Sequence, residues 1–300
     1  MINKKSIGIT FSHPHLEHLG LDVSDSLDKA LSMNFSHLRI GAYWTEIEKE
    51  KNKFDFSKLE KIVKKCEKEK QPIILTVGVK APRWPEFYWP EHIKEKNPNN
   101  KEAQEKIIVF IKKTIKKFKK YSCITHWQVE NEPLDQSGPD NLSIPFEFLK
   151  REFDVVKKID NRKIIINLWG NDLLNRDYLK KTEEIADIIG LDFYPKQFVK
   201  KIIGKSFYKN YTGIHQSKNK LIKTLKESKK PIWITELQAE PWEENEKGYF
   251  SKNPESISPQ KLIKNIKDIK QLPVKEILLW GFEYWLWKEK NGDGGYLTIL

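Results

Sequence analysis

Cysteine is nearly absent. Cys66 and Cys123 are the only two in 300 residues, which excludes a disulfide framework and any thiolate cluster with metal-binding spacing. Both read as free, buried thiols. No stretch approaches the ~18–20 apolar residues of a membrane span. The opening MINKKSIGITFSHPH has two lysines, but its apolar run is too short for the central region of a signal peptide. The chain reads as cytoplasmic, or as secreted with the signal segment absent from this chain. No G-x-G-x-x-G loop follows an early strand, which argues against a doubly wound, dinucleotide-binding sheet. Arginine is scarce as well. The net charge is +12, yet only five of the 54 basic residues are arginine. Phosphate and base readout favours the planar guanidinium fork, so the charge does not read as a nucleic-acid surface. The lysines lie on helical faces, as in KTIKKFKK (113–120), where they form a solvated exterior. Nothing in the sequence specifies an oligomeric state.

What is present is a recurring unit: a short apolar strand, then an amphipathic, lysine-rich helix. Strands are expected at 6–12, 37–43, 72–79, 124–131, 163–169, 188–194, 231–237 and 276–284. Each is rich in β-branched and aromatic residues, as strands buried on both faces are. Helical patterns run at 24–34, 55–70, 101–121, 145–160, 175–188, 219–230 and 258–270. Asp55 and the Ser258-Pro259 pair are helix-start signals. Eight strands, each followed by a helix, in a chain near the usual ~250 residues predict an α/β fold, a single-domain (β/α)8 barrel over 1–300. Few residues follow the eighth strand, so the last helix is expected to be short or missing.

In such a barrel the C-terminal strand ends carry the chemistry. Here those ends are dense in carboxylates and rings. WQVENEP (127–133) ends the fourth strand with Glu130, Asn131 and Glu132, and PIWITEL (231–237) ends the seventh with Thr235 and Glu236. Arg39, Tyr43 and Trp44 stand on or after the second strand. Lys80, Arg83 and Trp84 follow the third, and Trp169 and Asn171 the fifth. Asp192 and Tyr194 close the sixth; Trp280, Glu283 and Trp285 belong to the eighth. Two carboxylates across one barrel mouth suit glycoside hydrolysis, one protonated to serve the leaving oxygen and one ionised to meet the anomeric carbon. Flat rings suit the apolar C–H face of a sugar.

WQVENEP resembles the strand-four Asn-Glu-Pro motif of clan A glycoside hydrolases, and WITELQ resembles their strand-seven Thr-Glu nucleophile. Arg39 in HLRIG, Tyr194 in DFYP and Trp280 in LLWG fall where that clan places an arginine, a tyrosine and a sugar-stacking tryptophan. The resemblance covers strands two to eight. It implies a retaining enzyme, with Glu132 as general acid/base and Glu236 as nucleophile. Asn131 would hydrogen-bond the sugar hydroxyl beside the anomeric carbon, and Arg39 and Tyr194 would hold Glu236 ionised. It implies no metal and no organic cofactor, and a carbohydrate as partner.

Further expectations concern single residues. Glu130 is expected to point into the barrel as Glu132 does, paired with Arg39 or a lysine. Trp84, Trp44 and Trp280 are candidate sugar platforms. His13 and His15, near the end of the first strand, are candidate substrate contacts; no third ligand is spaced to make them a zinc site. The leading function is a retaining β-glycoside hydrolase. A carbohydrate-binding barrel with little turnover, and a transglycosylase on the same scaffold, are the alternatives.

Overall fold

A computed structural model describes residues 7–170, 176–203, 205–209 and 222–299. Ten strands run in chain order: β1 (Ile7–Thr10), β2 (Leu38–Gly41), β3 (Ile73–Val77), β4 (Ile124–Val129), β5 (Lys163–Trp169), β6 (Ile188–Phe193), β7 (Gln197–Ile202), β8 (Lys205–Lys209), β9 (Ile232–Gln238) and β10 (Ile277–Trp280). Eight close into a parallel barrel in the order β1-β10-β9-β6-β5-β4-β3-β2. The other two, β7 and β8, form an antiparallel hairpin in the connection after β6. The expected strands agree with the eight barrel strands within a few residues at each end.

The last strand is shorter than expected. It stops at Trp280, Gly281 turns the chain at φ +135°, and Phe282–Lys290 forms a nine-residue helix. Residues read as strand therefore open the final helix, which is short but present. Among the described residues no helix is long and apolar enough to cross a membrane.

Alternation along each strand divides the core. Outward residues such as Ile9, Leu75, Trp127, Ile166 and Leu191 meet the helices in one large cluster. Inward residues form layers. Ile74, Ile165, Ile188, Trp233 and Leu278 make a separate apolar cluster low in the lumen. Above it the inward positions turn polar: Thr10, Arg39, Gln128, Asn167, Asp192 and Thr235, each no more than 1% exposed.

One strand breaks its alternation. From β6, Leu191 and Asp192 pair with Ile234 and Glu236; from β10, Ile277 and Leu279 pair with Ile234 and Leu237. The strand β9 thus has one residue more than either neighbour, a β-bulge. The extra residue lets Thr235 and Glu236 both face the lumen.

Cys66 and Cys123 are buried and unlinked. Both lie in the layer between helices and barrel, where desolvation pushes the Cys66 thiol up to about 12.

Candidate active site

The cleft at the C-terminal end of the barrel is a cavity of about 660 Å3. Glu132, Glu236, Asn131, Tyr194, Trp280 and Trp84 all line it. Glu132 leaves β4 and Glu236 stands on β9, across the barrel. One carboxylate oxygen each from Glu132, Asp192 and Glu236 lie within 4.8 Å of one another. This trio is the only convergence of metal-ligand-type side chains among the described residues.

The two glutamates are held differently. Glu236 Oε1 accepts from Arg39 Nη1 at 2.6 Å, and Oε2 accepts from the Tyr194 hydroxyl. Glu132 Oε1 is buried without a partner among the described residues. Instead the backbone around Glu132 is clamped: its N–H donates to Asn167 Oδ1 at 2.9 Å, and Lys80 Nζ donates to its carbonyl at 2.7 Å. That clamp holds a φ of +41°, which a non-glycine residue rarely adopts.

Three carboxylates this close, out of water, cannot all be ionised. Burial pushes Glu132 far above the usual carboxylate range, and Asp192 and Glu236 push it the same way. Burial and Asp192 raise Glu236 too, against the pull of Arg39 and the Tyr194 hydroxyl. Asp192 is raised by burial but receives hydrogen bonds from Thr235 Oγ1 at 2.6 Å and from Asn167 Nδ2. Among the described residues Glu132 alone lacks a donor to its carboxylate oxygens within the trio, so its carboxyl is the one that most favours the protonated form.

Arg39 is fully buried. Its donors go to Gln128 at 2.7 Å, Glu236, Thr10 and Asn131 Oδ1. It therefore positions Glu236 and does not touch the cavity. A guanidinium only donates, so the Asn131 atom facing it is oxygen. Asn167 Nδ2 donates to the same oxygen at 3.0 Å. The amide nitrogen of Asn131 is left for the cleft. Asn167 joins Asn131, Asp192, Gln128 and the Glu132 backbone at once. Sequence reasoning passed over it; its signal was one polar residue in the apolar run KIIINLW.

Three expectations are corrected. His13 opens a short helix, His13–His18, and packs away from the cleft, its Nε2 2.6 Å from Glu46 and its ring edge-on to Tyr43. The same helix puts His15 and His18 on the cavity wall. Burial and the nearby Arg83 push His15 down to about 2, so it is neutral. Trp44 opens another short helix and is 1% exposed, stacked on Phe110 at 5.1 Å with Nε1 donating to Glu48. Glu130 does not point into the barrel. It sits at φ +59°, accepts from the N–H groups of Val79 and Lys80, and meets the buried Glu152 of the helix Phe146–Ile159.

The aromatic residues divide. Trp169 stacks on Tyr194 at 5.3 Å, and Trp242, 40% exposed, lies edge-on to the Tyr194 ring. Trp84 is 70% exposed on the rim. Trp280 lines the cavity, but the Arg83 guanidinium covers its ring at 4.2 Å. Trp285 is buried, its Nε1 donating to the carbonyl of Ala239. Asn171 lies outside the described residues.

The family model described as glycosyl hydrolase family 10 matches residues 24–291. This chain belongs to glycosyl hydrolase family 10. The family lies in clan A, and the barrel agrees with it. The endo-β-1,4-xylanase of Gloeophyllum trabeum is 14% identical with a TM-score of 0.61, covering 92% of this chain and 83% of its own. A β-glucosidase from Exiguobacterium marinum is 13% identical at a TM-score of 0.61, covering 93% and 90%. A cold-adapted β-galactosidase from Rahnella sp. R3 is 12% identical at 0.62, covering 91% and 50%. By sequence, β-galactosidase LacZ of Lactobacillus acidophilus is 22% identical over 165 residues, half of this chain. The match spans only a quarter of that relative's length.

Proposed function

We propose that this family 10 member is a retaining β-glycoside hydrolase, with Glu236 as nucleophile and Glu132 as general acid/base. One observation carries the reading. Two carboxylates from opposite strands each bring an oxygen within 4.8 Å of the other; one is clamped by a cation and a hydroxyl, and the other keeps an oxygen without a partner among the described residues. Inverting enzymes need ~6.5–9.5 Å between their carboxyls to admit a water, whereas direct attack needs ~5–5.5 Å. An oxygen-to-oxygen approach within 4.8 Å fits the closer of these spacings and supports attack by Glu236 itself, with the Arg39 and Tyr194 clamp that aligns it.

Glu236 attacks the anomeric carbon while Glu132 gives its proton to the departing glycosidic oxygen. The bond from carbon to that oxygen breaks as the bond to Glu236 forms. Glu132, now ionised, takes a proton from a water molecule, and the resulting hydroxide oxygen displaces Glu236. The Asn131 amide donates to the neighbouring hydroxyl of the sugar. The structural relatives are named as acting on β-linked xylan, β-glucosides and β-galactosides, which supports a β-linkage.

The test is hydrolysis of aryl α- and β-glycosides by wild type, Glu132→Gln and Glu236→Gln. Turnover of β-glycosides only is expected. Loss of the acid/base should lower activity by ~100- to 10,000-fold, and loss of the nucleophile should remove it. Activity that survives both substitutions would sink the assignment.

A further inference from the structure

We propose that the cleft is blind at one end, that the enzyme removes single neutral sugars from the end of a β-linked chain, and that Glu240 recognises the terminal sugar's hydroxyls. This rests on the roles given above to Glu132 and Glu236.

The strand order gives the cleft two unlike sides. From β4, with Glu132, to β9, with Glu236, one way round passes β5 and β6. That side is aromatic: Trp169, Tyr194 and the half-exposed Trp242. The other way passes β3, β2, β1 and β10, and that side is charged and closed. There Arg83 is 7% exposed, Trp280 8% and Glu240 8%. Behind Arg83 the rings of Tyr43 and Tyr88 pack at 4.7 Å, and the Tyr88 hydroxyl donates to the Arg83 carbonyl at 3.1 Å.

Arg83 bolts this end shut. It comes from the loop after β3, at φ +87°. Its Nη1 pairs with Glu240, from the segment after β9, and its Nη2 with Glu283, from the last helix. A polymer threading past Trp280 would have to break both buried ion pairs, which leaves uncompensated charge and is strongly unfavourable. Among the described residues no such ion pair stands on the side of Trp242, and Trp84 and Trp242 are exposed, 70% and 40%.

Glu240 is a built carboxylate. Its Oε1 accepts from Arg83 and from Trp280 Nε1 at 2.8 Å, and Oε2 accepts from the Tyr249 hydroxyl at 3.1 Å. A carboxylate offers about four acceptor positions. Among the described residues three are taken, which leaves one for a hydroxyl in the cavity that Glu240 lines. Gly281 is part of the construction: a Cβ there would lie 2.7 Å from the backbone nitrogen and Cβ of Glu240. One guanidinium against two carboxylates makes this end unsuited to an acidic sugar and suited to a neutral one.

The experiment follows products over time from β-1,4-linked pentasaccharides of xylose, glucose, mannose and galactose, each tagged at its reducing end. Aryl β-glycosides of the same sugars run beside them, and their 2-deoxy-2-fluoro analogues are used to label the protein for mass spectrometry. Untagged monosaccharide as the first product is expected, with turnover of one aryl monoglycoside. Glu240→Gln should raise KM for that monoglycoside about tenfold or more with a much smaller change in kcat. Tyr249→Phe should act in the same direction and guards against a misfolded Glu240 variant. Fragments from internal cleavage at early times, or an unchanged KM in both variants, would overturn the proposal. A label on Glu236 together with internal cleavage refutes the blind end alone. No label and no turnover of any substrate refutes the catalytic reading, and the blind end with it.

Discussion

Arg39 and Glu236 form an ion pair, 2.6 Å from Nη1 to Oε1, in which neither side chain is more than 3% exposed. The pair opposes the burial that raises Glu236. Arg39→Met removes the cation, so Glu236 will bind its proton more tightly. The acid limb of the kcat/KM profile will move to higher pH, and the maximum will fall by ~100- to 1,000-fold. Arg39→Lys keeps the charge without the planar fork and will fall between. The check is a pH–rate profile on the best aryl glycoside; an acid limb that stays in place would show that Glu236 is not the group that titrates.

Asp192 predicts the opposite shift. Its charge raises both Glu132 and Glu236. Asp192→Asn removes that charge while its amide still bonds Thr235. Both carboxyls will then lose their protons more readily, and both limbs of the bell will move to lower pH. The same titration checks it. A fall in rate with no shift would make Asp192 a packing residue only.

Glu130 and Glu152 are fully buried and face each other behind β4. Burial raises both, Glu130 to about 7, and the partner's charge adds to the rise for Glu152. In the unfolded chain each titrates in the ordinary glutamate range, near 4.5. The folded state therefore binds the extra proton, and its stability is full below that range and falls as pH rises through about 7. Glu152→Gln supplies an amide donor that needs no proton. Its melting temperature will decline less than that of wild type between pH 5 and pH 8. Parallel declines in calorimetry would count against the shared proton.

Gly190 faces the lumen on β6, where a Cβ would lie 2.5 Å from Thr235 Oγ1 and 2.7 Å from the Asn167 Cβ. Its φ is unexceptional, so Gly190→Ala tests space alone. Overpacking should cost ~1–3 kcal/mol in denaturant melts. Because Thr235 and Asn167 both hold Asp192, kcat will fall as well. A variant with wild-type stability and rate would mean the lumen yields more readily than its packing implies.

The barrel was legible because its strands are the apolar runs and its helices the lysine-rich periodic ones. The glutamate pair was legible from the polar residues that end β4 and β9. The rest failed for local reasons. Glu130 was placed inward by counting in twos, and a left-handed backbone conformation breaks that count. His13 and Trp44 follow strand ends, but short helices begin there and turn both side chains into packing. Asn167 is one polar residue inside the apolar run IIINLW, and Gln128 lies among the polar Thr125 and His126 of β4, so nothing local distinguishes a network member from a tolerated exception. The hairpin of β7 and β8 lies between the strand expected at 188–194 and the helix expected at 219–230, where no element was expected.

The bulge in β9 makes the reactive face of that strand a matter of reading frame. If the same residues ran in strict alternation without the bulge, the positions beyond Thr235 would exchange sides, as codons do when the frame slips. Leu237 would enter the lumen, and Glu236 would turn toward the helices, away from Arg39. Conservative substitutions along Ile232–Gln238 leave that frame intact, whereas straightening the bulge shifts it. The bulge, more than any one side chain beside it, is the property this strand can least afford to change.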